Sequence, residues 1–402
     1  MNETLARTQP GIQFQSSFNP SVYCPSQLSS RMLLRRVGLK ALSVLAPVAL
    51  AVALAVYRLD PFEPAPLPLE EIFSHEVVVA PRVNGRLLLD SELLASGQLL
   101  GAEDFAFDSD SQVIYTGCAD GWIKKVSVNH SAADIVVHNL VNTGGRPLGI
   151  ALGLNRELIV ADPYKGLLHV TTDSEVKLLT DEADGRKIKF TDGVDIAKDG
   201  TVYFTDASWK YSLHDFVWDF LEGRPHGKLL SFNPITGETR VLARDLYFPN
   251  GVVVSPDQKY IVFCETIMRR CRKYITQGEN AGSIDPFVDN LPGLPDNIRY
   301  DGANQLYWIG LPMSVKPYWD IAQSYPMVRK VVGIITRHIG RPRFEKNSGV
   351  LALDLEGMPV AHYYDPGLGL ITGAITVGEH LYLGSLGYPH ILRVNISQHP
   401  AL

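Results

Sequence analysis

Six times after residue 100 the chain repeats one pattern. A polar or glycine-bearing mouth leads into a short apolar strand. A tight turn rich in Asp, Asn or Gly follows, then a second strand ending in Thr, Asp, Glu or Gly. GAEDFAFDSDSQVIYTG begins at 101, RPLGIALGLNRELIVAD at 146 and TDGVDIAKDGTVYFTDAS at 191. PNGVVVSPDQKYIVFCET begins at 249, PDNIRYDGANQLYWIGL at 295 and TGAITVGEHLYLGSL at 372. A third strand usually follows, as in GWIKKVSV (121–128) and KLLSFNP (228–234). The starts are 45, 45, 58, 46 and 77 residues apart.

Units of this length with short strands predict an all-β fold, a six-bladed β-propeller in which each blade is a four-stranded sheet. Closure of such a ring removes exposed strand edges. The stretch EVVVAPRVNGRLLLDSELLA (76–95) is placed to lend the last blade a strand from the other terminus. The two long intervals hold insertions with helical character, at 207–227 and 312–347. They read either as surface helices packed on the ring or as a lid over its mouth that rests on a membrane.

The N-terminal part differs. Residues 1–40 read as a cytosolic tail ending in a cationic run with Arg31, Arg35, Arg36 and Lys40. Residues 41–57, ALSVLAPVALAVALAVY, carry no charge and predict a transmembrane signal anchor or a signal peptide. Residues 58–75 read as a proline-rich linker, and 76–402 as the propeller. That order places the propeller in the lumen of the endomembrane system, at the endoplasmic reticulum membrane or in a vacuole, with the plasma membrane as a further location. The sequons at Asn129 and Asn395 agree with that side. A net charge of −6 gives no basic face and argues against nucleic acid as a partner. Of four cysteines, none forms a C-x-x-C pair; Cys264 and Cys271 can bridge in an oxidising lumen or stay as two buried thiols.

The mouths of the innermost strands offer Glu103, Asp104, Asp192, Asn250, Asp296 and Asn297. Oxygen-only ligands gathered from separate strands suit a hard cation, and Ca2+ takes six to eight of them. The same side chains also cap turns, and both readings stand at this point.

RPLGI, TDGVDIAKDGTVYFTDAS, FPNGVVVSPD and LPGLPDNIRYD closely resemble the strictosidine synthase-like family, over about residues 76–396. The resemblance implies a place beside paraoxonases and gluconolactonases among six-bladed, calcium-binding propellers. It implies Glu103, Asn250, Asp296 and Asn297 as the calcium ligands. Where paraoxonases have Asn, this chain has Thr191 followed by Asp192. The glutamate that strictosidine synthase uses as acid/base for its Pictet–Spengler condensation falls on Thr372, and the paraoxonase histidine pair falls on Leu148 and near Asp162. Both known sets of catalytic residues are therefore incomplete here.

What survives is a metal that polarises an ester or lactone carbonyl, with Asp162, Asp192 or Asp206 as candidate base. The expected activity is metal-dependent hydrolysis of small esters or lactones, as in an arylesterase. The alternatives are a condensing enzyme and a non-catalytic propeller that binds a ligand in its funnel. The chain has no G-x-S-x-G elbow for a serine nucleophile.

Overall fold

The computed structural model describes residues 45–128, 131–341 and 346–402. The chain divides into two compact units, Met1–Pro61 and Phe62–Leu402. In the first, residues 45–59 form a helix whose Leu45, Val48, Leu50, Val52 and Leu54 are exposed. Among the described residues no helix is long and apolar enough to cross a membrane. The expected tail 1–40 and the start of the apolar run 41–57 lie outside the described residues, as does Asn129.

The second unit is a ring of six radial sheets. From the axis outward, the inner strands of blades 1 to 6 are Phe105–Asp108, Ile150–Leu152, Thr191–Ile196, Pro249–Val254, Ile298–Asp301 and Ile371–Val377. Each blade is an antiparallel meander. The sixth is completed by Glu92–Leu94, which pairs with Ile391–Asn395. The N-terminal stretch thus supplies the closing strand, as its sequence position suggests. It also adds Val83–Asn84 as a parallel outer strand on blade 5.

The apolar runs follow from the packing. Blades are buried on both faces, so strands such as Pro249–Val254 and Leu158–Asp162 are buried at every position and cannot alternate. Six hydrophobic clusters fill the six spaces between neighbouring blades. Cys264 and Cys271, directly opposite on adjacent strands of blade 4, form a disulfide inside the cluster shared with blade 5.

A seventh cluster lies under the insertions. The first insertion forms the helix Phe216–Glu222, and the second forms the helices Pro317–Ser324 and Pro326–His338. Residues 58–75 are no free spacer once past Phe62. Leu67 and Ile72 are buried in this cluster, because their apolar side chains find the underside of the insertions within reach.

Candidate metal centre

The inner strands meet around the axis through a belt of hydrogen bonds that links all six blades. Ile150 N–H donates to Asp104 Oδ2 (3.0 Å) and Gly149 N–H to Asp192 O (3.0 Å). Thr205 Oγ1 donates to Asn250 O (2.7 Å), and Gly251 N–H to Asp296 O (3.1 Å). Asn297 N–H donates to Thr372 O (2.9 Å), and Thr372 Oγ1 to Glu103 O (2.6 Å), which closes the circuit. The approach is so close that a Cβ on Gly193 would lie 2.5 Å from Asn250 O, and one on Gly251 2.6 Å from Asp296 O. The Asp-Gly and Asn-Gly pairs at two strand mouths are read this way: the first residue offers its side chain to the axis, and the glycine lets the next blade in.

This belt brings Glu103, Asp192, Asn250, Asp296 and Asn297 together, all buried. Asn297 Nδ2 donates to Glu103 Oε1 at 2.5 Å. Asn250 bonds the Asp296 carboxyl. Two buried oxygens, Glu103 Oε2 and Asn250 Oδ1, have no hydrogen-bond partner. Burial, then the neighbouring Asp104 charge, pushes the Glu103 carboxyl up to about 8. Burial, then the Glu103 charge, drives Asp192 and Asp296 well above the ordinary carboxylate range. The nearby guanidiniums do not offset this. Arg146 spends its donors on Pro147 O (2.9 Å) and Gly101 O (2.8 Å), and Arg299 is engaged by Asp104.

Buried carboxyls that repel one another, beside orphaned oxygens, form a site short of positive charge. The donors are oxygen alone, which fits a hard divalent cation. Among the described residues no cluster of three His, Cys, Asp or Glu stands at metal-binding separation, so the oxygen count depends on the amides Asn250 and Asn297.

Glu103, Asp192, Asn250 and Asp296 form the polar floor of a cavity of about 240 Å³. Its walls are apolar, with Leu148, Phe190 and Phe248 from the ring and Leu213, Phe216 and Phe220 from the first insertion. Phe248 packs edge-on to Phe190 (5.4 Å) and to Phe220 (4.8 Å). Phe248 and Leu370, both on the wall, hold φ of 56° and 62°. Non-glycine residues avoid that region at a cost of roughly 1–2 kcal/mol, and such strain collects at functional sites.

Of the three candidate bases, only Asp192 faces this cavity. Asp162 ends the second strand of blade 2, where Oδ2 accepts from Thr143 Oγ1 (2.9 Å) and Oδ1 from the Tyr164 N–H (2.9 Å). Asp206 ends the second strand of blade 3, accepts the Phe190 N–H (3.2 Å) and stands 3.9 Å from Lys228 Nζ. Both sit one strand outward from the axis. Thr191 has a buried, unpartnered hydroxyl but does not line the cavity. Leu148, where the resemblance places a histidine, is an apolar wall residue. Asn395 Oδ1 accepts the Ser397 and Gln398 N–H groups in a turn.

Two residues that reasoning from the sequence missed complete the axis, Arg146 and Arg299. Arg299 carried a legible signal, a charged residue inside an innermost strand. Its guanidinium binds Asp104 on blade 1, Ile150 O on blade 2 (3.0 Å) and Val194 O on blade 3 (3.1 Å). It lies further along the strands than the ligand set and lines the second opening of the channel.

Residues 192–279 match the strictosidine synthase family model. Protein STRICTOSIDINE SYNTHASE-LIKE 6 of Arabidopsis thaliana is 48% identical, over 88% of this chain and 95% of its own length. The adipocyte plasma membrane-associated protein of Gallus gallus is 34% identical, over 88% of this chain and 89% of its own. Among solved structures, a gluconolactonase from Xanthomonas campestris superposes with a TM-score of 0.55 at 15% identity, covering 79% of this chain and 96% of that one. The calcium-binding protein regucalcin of Agrobacterium tumefaciens gives 0.51 at 14%, covering 79% and 95%. At such identities these two likenesses show the fold alone. The long, high-identity matches to the plant relatives carry the assignment: the chain belongs to the strictosidine synthase-like family.

Proposed function

We propose that this propeller is a calcium-dependent hydrolase of small apolar esters or lactones, held in the endomembrane lumen by its N-terminal segment. The observation that carries the reading is the pairing of an apolar cavity with a floor of oxygen ligands that includes the orphaned Glu103 Oε2 and Asn250 Oδ1. A calcium-binding protein and gluconolactonases share the fold, which agrees with it. The buried disulfide suits an oxidising compartment.

Glu103, Asn250, Asp296 and Asn297 would hold the ion. When bound, it would polarise a carbonyl oxygen and neutralise the charge that develops there. The protein's own groups do the rest. Phe190, Phe248, Phe216 and Phe220 bind the apolar acyl or alkoxy part and exclude water around it. Asp192 presents a carboxyl to the same floor and is placed to take the proton of an attacking water. That proton is then passed to the leaving alkoxide as the acyl–oxygen bond breaks, giving acid and alcohol.

A second reading, a propeller that binds a ligand without turning it over, is favoured by Leu148 standing where a histidine would act. A Pictet–Spengler condensation finds no support at Thr372. Its hydroxyl is fully buried and spent on Glu103 O, and it offers no carboxylate to relay protons.

The test is hydrolysis of an aryl acetate by the purified protein, with and without chelator and with Asn250→Ala. Turnover that needs added Ca2+ and is lost in Asn250→Ala supports the hydrolase. Turnover indifferent to both overturns it. Calcium binding without turnover across an ester and lactone panel moves the assignment to the binding module.

A further inference from the structure

The helix Pro326–His338 is amphipathic in the reverse sense for a helix packed on a globular domain. The residues it buries are Arg329, Gly333 and Thr336, one stripe at spacings of four and three. The large apolar residues it exposes are Met327, Val331, Ile335 and, just past its end, Ile339, at 61%, 45%, 46% and 83%. A surface helix ordinarily turns its apolar stripe inward.

Loose docking does not explain this. The Arg329 guanidinium donates to Leu221 O (3.1 Å) and Glu222 O (3.0 Å), to Ala322 O (3.0 Å) and to Ala65 O. It thereby satisfies the C-terminal carbonyls of the helix Phe216–Glu222. Gly333 lets the Phe62 ring approach the helix closely, since a Cβ there would stand 2.9 Å from it. Rolling the helix to hide its apolar stripe would leave a buried cation and several carbonyls unpaired, so the stripe is fixed outward.

We propose that this stripe docks on the surface of a lipid bilayer. Three observations select a bilayer over a protein partner. The helix contains no acidic residue, so no carboxylate would be carried into the headgroup layer with the stripe. Tyr318 and Tyr325 of the preceding segment are half exposed beside it, the residue type enriched at the headgroup level. Going toward the N terminus from the docked Phe62, the chain reaches the uncharged run 41–57 within five residues. A chain whose two exposed apolar elements are so closely joined has a membrane as their common solvent. The inner faces of the same insertions line the cavity, so docking would set its entrance against lipid.

The experiment uses the full chain reconstituted in phosphatidylcholine vesicles with a minor share of phosphatidylserine. A fluorophore is placed on Ile335→Cys, and separately on Ile235→Cys, an exposed turn of blade 3. The described native cysteines do not interfere, since Cys118 is buried and Cys264 and Cys271 are bonded; Cys24 is replaced by Ser in both variants. Acyl-chain nitroxide lipid is expected to quench the 335 label by about twofold or more and to leave the 235 label unchanged, as for an element lying in the interface. Equal response at the two sites overturns the proposal. So does a 335 signal that follows protein density and ignores the nitroxide, which would mark a second copy of the chain as the occupant.

Discussion

Arg299 Nε donates to Asp104 Oδ1 at 3.0 Å across the channel axis, joining blade 5 to blade 1 through two side chains that are almost wholly buried. The same carboxylate takes the Ile150 N–H, and the same guanidinium takes two carbonyls from blades 2 and 3. One ion pair therefore touches four of six blades at their narrowest approach.

Breaking it from one side should be costly. Arg299→Met leaves Asp104 buried without its cation and is expected to destabilise the propeller by about 3–5 kcal/mol. Adding Asp104→Asn to that variant should recover part of the loss, because the stranded charge is gone. Urea unfolding of both single variants and the double gives the coupling. Strict additivity would show that the two side chains do not act as a pair.

The ring and its axis were legible in the sequence for a plain reason. Blades buried on both faces need uninterrupted apolar strands, so TDGVDI and PNGVVV stand out, and the polar residue before each glycine points at the axis. Glu103, Asn250, Asp296 and Asn297 do converge. Asp162 and Asp206 looked equivalent to Asp192 because a hairpin returns its second strand to the same end of the ring. In register, Asp206 lies opposite Thr191, one strand farther out by about 4.8 Å, and that offset is invisible along one dimension. The aromatic lining was equally hidden. Phe216 and Phe220 read only as part of an apolar insertion, and which face meets the cavity depends on how Arg329 pins the neighbouring helix.

His362 supplies a pH dependence. It lies on the fourth strand of blade 5, against the Tyr364 ring at 4.8 Å, and burial lowers its pKa from 6.5 to about 4. The unfolded chain therefore binds a proton at a pH where the folded one does not. Stability from this group is fully present above pH 6.5 and is lost as pH falls from there toward 4. The loss should be on the order of 2 kcal/mol. Thermal melts at pH 7 and pH 5 should show a smaller difference for His362→Phe than for the parent chain. An equal difference in both would place the acid sensitivity elsewhere.

Gly251→Ala tests the belt without touching a ligand side chain. The added Cβ would meet Asp296 O at 2.6 Å and Ile298 N at 2.5 Å, both backbone atoms that cannot swing away. Blade 5 must shift outward, carrying Asp296 and Asn297 with it. Calcium affinity measured by titration calorimetry should fall by about tenfold or more, with stability down by about 1–3 kcal/mol from overpacking. Gly302→Ala, in an exposed turn where the backbone is not left-handed and a Cβ would come no nearer than 3.6 Å to the Tyr300 ring, serves as the control for substitution alone. Unchanged affinity in Gly251→Ala would mean that the axial side chains are not set by the spacing of the blades.

Phe220→Ala asks whether the aromatics of the first insertion belong to the substrate site. The ring stands edge-on to Phe248 at 4.8 Å and forms part of the cavity wall, while its helix is held by Asp219, whose carboxyl meets His226 Nδ1 at 2.6 Å, and by the Arg329 contacts. Truncation should therefore leave the helix Phe216–Glu222 in place and remove apolar contact surface only. Contact made equally to bound substrate and to its transition state appears in KM and not in kcat. For an apolar aryl ester KM should rise by about tenfold, the equivalent of part of one buried phenyl group, with kcat within about twofold of the parent. An ester with a short polar acyl group should be affected less, since it leaves that wall unfilled. A fall in kcat at constant KM would instead assign Phe220 to excluding water from the reacting carbonyl, and no change in either would place the substrate outside this cavity.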